Sequence, residues 1–177
     1  MASLLLNVGL FQAGWFASVL GAARGLPWLG PVVVTVVLAV HLARSPDRGA
    51  EARLLGFAVS AGILAENLMT LSGLYSAAPW PFPAPFAPLW LPAMWGNFAT
   101  TVNVSLRGLA PYPLVAALLG AVAGPAAYYA GEALGAVRFG IPAWRGLAGL
   151  AILWGAAIPG FFALARRLAQ ASRRPNR

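Results

Sequence analysis

Hydrophobic residues fill six long segments of the chain, and short connections between them hold most of the arginines and prolines. A helix needs about 20 predominantly apolar residues to cross the hydrocarbon core of a bilayer, and most of these segments approach that length. The pattern therefore predicts an all-α, polytopic membrane protein of about six transmembrane helices, of which the second is short. The predicted spans cover residues 4–23, 28–43, 54–74, 89–106, 113–134 and 144–164.

The composition indicates the same class of protein. Of the 177 residues, 60% are hydrophobic and only 9% are charged, whereas a soluble globular domain has about 25% charged residues. The apolar segments leave no room for a domain outside the membrane. We therefore expect one transmembrane domain over residues 1–165 and a basic cytoplasmic tail over residues 166–177.

The arginines predict an orientation. All 12 basic residues are arginines, against four acidic residues. With six spans, nine arginines lie on the side of the two termini and three on the other, so the positive-inside rule places both termini in the cytoplasm. The expected localisation is the bacterial inner membrane, with membrane lipids as partners. Nucleic acid is not an expected partner, because the arginines lie at helix ends and form no basic stripe.

Several kinds of cofactor are excluded by the residues that the chain lacks. With no cysteine and a single histidine, His41, it cannot supply a thiol redox pair, an iron–sulfur cluster, a zinc cage of the usual kind or bis-histidine haem ligation. No HExxH or GxSxG motif occurs. We expect no metal and no cofactor, and we interpret His41 as an interfacial hydrogen-bond donor near the cytoplasmic end of the second span.

Small residues recur every three or four positions on two predicted helices, which allows another backbone to approach closely. The two faces predict packing of these helices on each other within the chain; the alternative is docking of a partner subunit or of a second copy. On the first helix these residues are Gly9, Ala13, Ala17 and Gly21, and on the fifth they are Gly120, Gly124, Ala127, Gly131 and Gly135.

Polar residues at membrane depth are costly, so their positions indicate a candidate site. At 1.5 Å per helical residue, Glu66 lies about 18 Å and Tyr128 about 22 Å from the cytoplasmic ends of their helices, and Asn97 lies about 10 Å from the outer face. All three then share the outer half of the membrane, which predicts one outward-facing polar pocket. The predicted ligand-binding residues are Glu66, Asn67, Asn97, Thr101, Tyr128 and Glu132, with Thr70 and Ser105 on the same helix faces.

Each acid of this group has an alternative interpretation. Glu66 suits reversible protonation or cation binding, or it is held by hydrogen bonds that join helices. Glu132 lies near the outer interface, where a salt bridge to Arg24 or Arg138 is the favoured interpretation.

Two further features extend this picture. Asn7 and Gln12 on the first helix, with Thr100 and Asn103 on the fourth, predict hydrogen bonds between these two helices. The connection over residues 75–88 has five prolines and no charge, and its aromatic residues prefer the headgroup region. It is expected to lie flat as a lid, or else to anchor the third and fourth helices as an interfacial belt. The aromatic residues on which this expectation rests are Trp80, Phe82 and Phe86 within the connection and Trp90 just after it.

Three runs of sequence carry a resemblance to a known family: FQAGWF (11–16), which follows Asn7, NFATTVNVSL (97–106) and GPAAYYAGEALGAV (124–137). Together they resemble a family of small bacterial six-helix inner-membrane proteins that share a domain of unknown function. The resemblance spans nearly the whole chain, and it implies a fold but no reaction. Val104 stands where a histidine is frequent in that family, which puts in doubt any mechanism that needs a histidine there. Glu66 and Asn67 stand where Asp–Ser is common, so an acid is preserved.

Three functions are consistent with these residues. The first is binding or transport of a small molecule or lipid through the outward pocket. In size and topology the chain resembles the substrate-binding subunits of energy-coupling-factor vitamin transporters, and this resemblance implies that Ala13 and Ala17 dock a partner. The second is a membrane enzyme acting on a lipid or isoprenoid, with Glu66 or Glu132 as acid or base and Tyr128 or Tyr129 positioning the substrate. The third is an accessory subunit of a larger membrane complex.

Overall fold

The computed structural model describes residues 2–77 and 86–172, and 79% of it is helical. Over these residues the chain forms six α-helices, a short 3-10 helix at Arg107–Leu109 and two three-residue strands. The helices are α1 (Ala2–Ala23), α2 (Leu29–Arg44), α3 (Arg48–Leu71), α4 (Trp90–Val102), α5 (Pro113–Ala133) and α6 (Ala143–Ser172), and the strands are β1 (Tyr75–Ala77) and β2 (Val137–Phe139).

Four of these helices, α1, α3, α5 and α6, are long and apolar enough to cross a membrane. Helix α2 has 16 residues and is apolar but shorter, as the sequence predicts. The all-α membrane fold is therefore confirmed, and the chain is a multi-pass membrane protein by the length and composition of its helices.

Helix α4 is the centre of the fold and differs from the predicted fourth span. It has only 13 residues, ten of them buried, and it contacts α1, α2, α3 and α6. The helix ends at Val102 rather than at residue 106, because the backbone N–H groups of Val104 and Leu106 both turn back to the carbonyl of Thr101. A helix that is enclosed by its neighbours does not need the length of a lipid-exposed span.

The remaining helices pack in pairs around α4. Helix α1 lies on α2, where a Cβ added at Gly30 would come within 2.5 Å of the Ser18 hydroxyl. Helix α5 lies on α6, where a Cβ at Gly120 would come within 2.2 Å of the Trp154 carbonyl oxygen. Gly124 packs on the ring of the same tryptophan. These close approaches explain why small residues occur at these positions.

The predicted small-residue face of α1 packs only in part. Gly21 is buried against Leu29 of α2 and Ala17 is half-buried, but Gly9 and Ala13 are exposed, and a Cβ at Gly9 would meet nothing within 4 Å. For Gly9 and Ala13 the prediction of packing within the chain is therefore wrong. The buried face of α1 lies about a quarter-turn away, because α1 approaches α2 and α4 along the line of Asn7, Gly14 and Ser18.

The two strands were not predicted from the sequence. They pair antiparallel, with Tyr75 opposite Phe139 and Ala77 opposite Val137. The pairing joins the segment after α3 to the segment after α5, and the Gly140 N–H also donates to the carbonyl of Leu74 at 3.0 Å. A two-stranded ribbon thus covers one end of the helix bundle and fixes the position of Tyr75.

Two other predictions concern the ends of the described segments. The proposed lid falls mostly on residues 78–85, which lie outside the described residues; Phe86 beyond them is exposed, and Trp90 is buried rather than interfacial. The predicted tail begins inside α6, because this helix continues through Arg166 to Ser172, and the Arg166 guanidinium donates to the carbonyl of Ala110 at 3.0 Å.

Candidate functional site

Glu66 lies fully buried near the end of α3 and accepts three hydrogen bonds. The indole Nε1 of Trp95 donates to Oε1 over 2.8 Å. The hydroxyl of Tyr128 donates to the same oxygen, and the hydroxyl of Tyr75 donates to Oε2. The carboxyl group therefore joins α3 to α4, α5 and β1.

Helical periodicity explains why Glu66 points inward. It follows Leu55, Ala58 and Gly62 at spacings of three and four residues, and all four are buried on one face of α3. Because Gly62 has no side chain, the Trp95 ring lies directly against it, where a Cβ would come within 2.6 Å of the ring. This close approach brings the indole nitrogen to Glu66.

The arrangement around Glu66 is sealed. Three neutral donors converge on the two carboxyl oxygens and leave neither of them without a hydrogen bond. No arginine or histidine of the described segments lies within ion-pair distance of Glu66. Since the side chain is wholly enclosed, Glu66 does not line an outward-opening pocket, and that part of the sequence prediction is wrong. The hydrogen bonds from β1 close the side on which the opening was expected.

The predicted site residues do not all come together. Glu66 and Tyr128 meet as predicted, but Asn97 lies on the other side of α4, where its Nδ2 donates to the carbonyl of Phe11 at 2.9 Å. Asn97 is two residues after Trp95, and two residues are about 200° of a helix, so only one of them faces α3. Thr101 is buried, and its hydroxyl donates to the carbonyl of Phe98.

Asn67 and Glu132 hold backbone segments in place. The Asn67 side chain accepts a 2.9 Å hydrogen bond from the N–H of Ala87 and donates to its own helix. Oε1 of Glu132 accepts a 2.8 Å hydrogen bond from the N–H of Phe139 in β2. Within the described residues Glu132 forms no ion pair with Arg24 or Arg138, so the predicted salt bridge is wrong; the strand pairing brings a backbone donor to the carboxylate instead.

A groove of about 690 Å³ lies between α1 and α5, with α4 as its floor. We call it the lateral groove. It exists because α1 packs on α2 and α4 while α5 packs on α6, which leaves α1 and α5 apart. Its edges include Leu5 and Leu119, which are both exposed, so it opens on the flank of the bundle. Tyr128 lines the groove and also donates to Glu66.

The lateral groove is apolar but contains side chains with unused hydrogen-bonding capacity, among them Trp90 and Gln12. No charged residue lines it among the described residues. Trp90 is 3% exposed, and its Nε1 has no hydrogen-bond partner among the residues that the structure describes. Gln12 is exposed on α1, and no described residue hydrogen-bonds to its side chain.

A second, polar pocket of about 370 Å³ lies at the opposite end of the bundle from β1 and β2, between α1, α2, α3 and the end of α4. Here His41 and Glu51 pair at 3.0 Å, and the Asn103 amide donates to the other Glu51 oxygen at 2.8 Å. The predicted hydrogen bonds between the first and fourth helices are also present, since Asn7 donates to the carbonyl of Thr100 at 3.0 Å. Gln12 and Asn103 do not join these two helices as predicted: Gln12 lines the lateral groove, and Asn103 donates to Glu51 of α3.

Comparison with known proteins identifies the family. A family described as "Protein of unknown function (DUF2878)" matches residues 4–160. The chain belongs to the DUF2878 family. The match includes Glu66, both tyrosines that donate to it and the lateral groove. No curated protein and no solved structure matches the chain.

In this DUF2878 protein several site residues escaped the sequence analysis. Tyr75 reaches Glu66 only through the strand pairing, and no pattern in the sequence indicates a three-residue strand. Trp95 and Trp90 count as hydrophobic residues in a search for polar positions, so the sequence did not indicate that their N–H groups take part in the site. Glu51 follows Asp47 in the first turn of α3, where an acid usually serves the helix N-terminus.

Proposed function

We propose that this protein binds a lipid-like molecule in the lateral groove, from within the membrane. The molecule has a long hydrocarbon chain and an uncharged oxygen-bearing group. The observation that carries the proposal is Trp90, which lines an apolar groove of about 690 Å³ and whose buried N–H has no hydrogen-bond partner in residues 2–77 and 86–172. The arginine distribution supports placing this activity in the bacterial inner membrane.

The size and position of the groove support a hydrocarbon ligand. Ligand pockets are typically about 300–1,000 Å³, and the groove falls within this range. It opens along the flank of α1 and α5, so a ligand enters from the lipid rather than from water. Its rim of exposed leucines and valines offers no partner for a charged headgroup.

The chemistry of the unpaired groups supports an oxygen-bearing ligand. Leaving a buried donor without a partner costs about 1–3 kcal/mol, and an indole N–H can only donate. A carbonyl, hydroxyl or ether oxygen on the ligand would satisfy Trp90. Gln12 both donates and accepts, so it suits the same group or a second one along the groove.

The same geometry favours binding over catalysis by Glu66. An acid or base must come within hydrogen-bonding reach of the substrate, but both Glu66 oxygens are occupied by protein donors in an enclosed space. Tyr128 is the link between this cluster and the groove. We propose that it forms part of the groove wall and is held there by Glu66.

Mass spectrometry of co-purified lipids tests the proposal. The protein is purified in lipid nanodiscs formed directly from the membrane, and the bound molecules are compared with those of three variants. Ala127→Phe fills the groove, and Ala126→Phe places the same ring at an exposed neighbour that does not line it. Trp90→Phe keeps a ring of similar shape and removes the N–H.

We expect the wild type and Ala126→Phe to retain one class of neutral lipid, and Ala127→Phe to lose it. Trp90→Phe should retain at most about one tenth of it, because one buried hydrogen bond is worth about a factor of ten. Equal lipid content in Ala127→Phe and Ala126→Phe would show that the groove holds no ligand.

A further inference from the structure

The His41–Glu51 pair lies in the polar pocket, away from the lateral groove, and three elements hold it. Nε2 of His41 on α2 is 3.0 Å from Oε2 of Glu51 on α3, and Nδ2 of Asn103 after α4 donates to Oε1. His41 is 8% exposed and Glu51 is 9% exposed. Both Glu51 oxygens are therefore used by the protein.

This arrangement leaves one nitrogen of His41 available. A carboxylate accepts, so Nε2 must carry the hydrogen that it shares with Glu51. In the neutral ring Nδ1 is then an acceptor, and no described residue donates to it. His41 lines the pocket, so an imidazole nitrogen with no partner among the described residues borders an open space of about 370 Å³.

Among the described residues, the pocket also has one uncommitted positive charge. Arg44 lines it, and no described residue forms a hydrogen bond or ion pair with the Arg44 guanidinium. Both acids that line the pocket accept hydrogen bonds within the protein, because Glu51 is paired with His41 and one oxygen of Asp47 accepts from the N–H of Ala50 at 2.9 Å. Arg48 lies outside the pocket and donates to the carbonyl of Ala43.

We propose that the polar pocket is a binding site for a phosphate monoester, with Arg44 facing its charged oxygens and Nδ1 of His41 accepting from its remaining P–OH. The monoanion of a phosphate monoester carries both features in one group, and it is the main form below a second pKa of about 6. Arginine is suited to phosphate oxygens by its fork of N–H donors. The pocket lies at the membrane surface that the arginine count assigns to the cytoplasm.

Anion titration on the full chain tests the site. The protein is reconstituted in phosphatidylcholine nanodiscs, and inorganic phosphate or sulfate is added near neutral pH, where phosphate still carries a proton and sulfate carries none. Binding is followed by phosphorus NMR line broadening for phosphate and by the shift in melting temperature for both anions. Phosphate should bind, and sulfate should bind at least about tenfold more weakly, because it cannot donate to Nδ1.

Two variants and one control locate the binding. Arg44→Gln should weaken phosphate binding about tenfold or more, as expected for a charge-assisted hydrogen bond. It is an exposed position, so folding should be unaffected. His41→Phe should remove the preference for phosphate over sulfate. Arg107→Gln, on the same side of the membrane but outside the pocket, should bind as the wild type does.

Other outcomes overturn the proposal. If phosphate and sulfate bind equally and Arg107→Gln weakens both as much as Arg44→Gln does, the protein attracts anions only through its general positive charge. If neither inorganic phosphate nor phosphatidic acid binds, the pocket is not a phosphate site.

Nanodiscs that contain phosphatidic acid distinguish two sources of the ligand. Protection from heat by this lipid that Arg44→Gln abolishes would assign the phosphate to a lipid headgroup. Binding of free phosphate without such protection would assign it to a soluble ester. Both results support the site, and neither depends on whether the lateral groove holds a lipid.

Discussion

The indole Nε1 of Trp95 donates a 2.8 Å hydrogen bond to Oε1 of Glu66 across the contact between α3 and α4. This bond depends on Gly62, one turn earlier on α3, because only a residue without a side chain lets the indole lie so close. The Trp95 ring is also stacked on Trp154 of α6 at 4.7 Å between ring centres. One tryptophan thus links the buried carboxyl group to the aromatic core.

Tyr128→Phe should destabilise the protein, because it removes one of the three donors to Glu66. The expected loss is about 1–3 kcal/mol in the free energy of unfolding, the range for leaving a buried polar group without one of its hydrogen bonds. The neighbouring Tyr129 is 61% exposed and does not contact Glu66. Tyr129→Phe is therefore the matched control, and reversible unfolding in mixed micelles should show almost no change for it. Equal effects of the two substitutions would contradict the role given to Tyr128.

Glu66→Gln should destabilise the fold more than Glu132→Gln does. The amide of glutamine introduces a donor where three donors already converge, so at least one of Tyr75, Tyr128 and Trp95 loses its acceptor. At Glu132 only one oxygen is used, by the N–H of Phe139, and a glutamine oxygen can still accept there. Melting curves in nanodiscs compare the two variants. A Glu66→Gln protein as stable as Glu132→Gln would show that the cluster contributes little.

Gly120→Ala should weaken the contact between α5 and α6. The added methyl group would lie 2.2 Å from the Trp154 carbonyl oxygen, and backbone on both sides prevents an easy shift. Overpacking of this kind costs about 1–3 kcal/mol. Gly9→Ala meets nothing within 4 Å, so it should leave stability unchanged or slightly raise it through helix propensity. Thermal unfolding of the two variants in one detergent distinguishes them, and a Gly120→Ala protein as stable as Gly9→Ala would refute the close packing.

Asp47, which lies outside the membrane-spanning segments, should make the stability of the protein depend on pH. The N–H of Ala50, and after it the hydroxyl of Ser172, hold the pKa of the Asp47 carboxyl below its usual value of 3.8. A carboxyl group with a lowered pKa in the folded state contributes stability above pH 3.8, and this stability is lost as the pH falls through the folded-state pKa. The difference in melting temperature between the wild type and Asp47→Ala should therefore be constant above about pH 5 and shrink below pH 4.

Asp47→Asn is the control for this titration. Asparagine keeps an oxygen that caps the N-terminus of α3 but cannot titrate. The difference in melting temperature between Asp47→Asn and Asp47→Ala should therefore not change across the acid range. A difference between the wild type and Asp47→Ala that does not change with pH would show that the carboxylate charge is not involved.

The sequence predicted only in part which polar residues lie together. Helical depth alone brought Glu66 and Tyr128 to the same level, and they are hydrogen-bonded. The same reasoning grouped Asn97 with them, but depth does not give rotation about the helix axis, and Asn97 faces α1 while Trp95 faces Glu66. The face of α4 that meets each neighbour depends on how five helices pack together.

The small residues show a similar limit. Their spacing correctly identified α5 as a closely packed helix, because Gly120 and Gly124 lie against Trp154. The partner was α6 rather than α1, and on α1 the exposed positions Gly9 and Ala13 follow the same spacing as a packed face. Docking of a partner subunit or of a second copy on that exposed face stays a prediction.

The sequence by itself determined that this chain belongs in a membrane, because long apolar segments with few charges have no other stable environment. It also determined that a carboxyl group lies at depth in the third helix, since helical rise is a local property. Only the tertiary structure decided which groups satisfy that carboxyl group, that the expected outward pocket is closed by the strand pairing of Tyr75, and that a groove opens sideways instead. These features depend on contacts between residues far apart in the chain, which local periodicity does not determine.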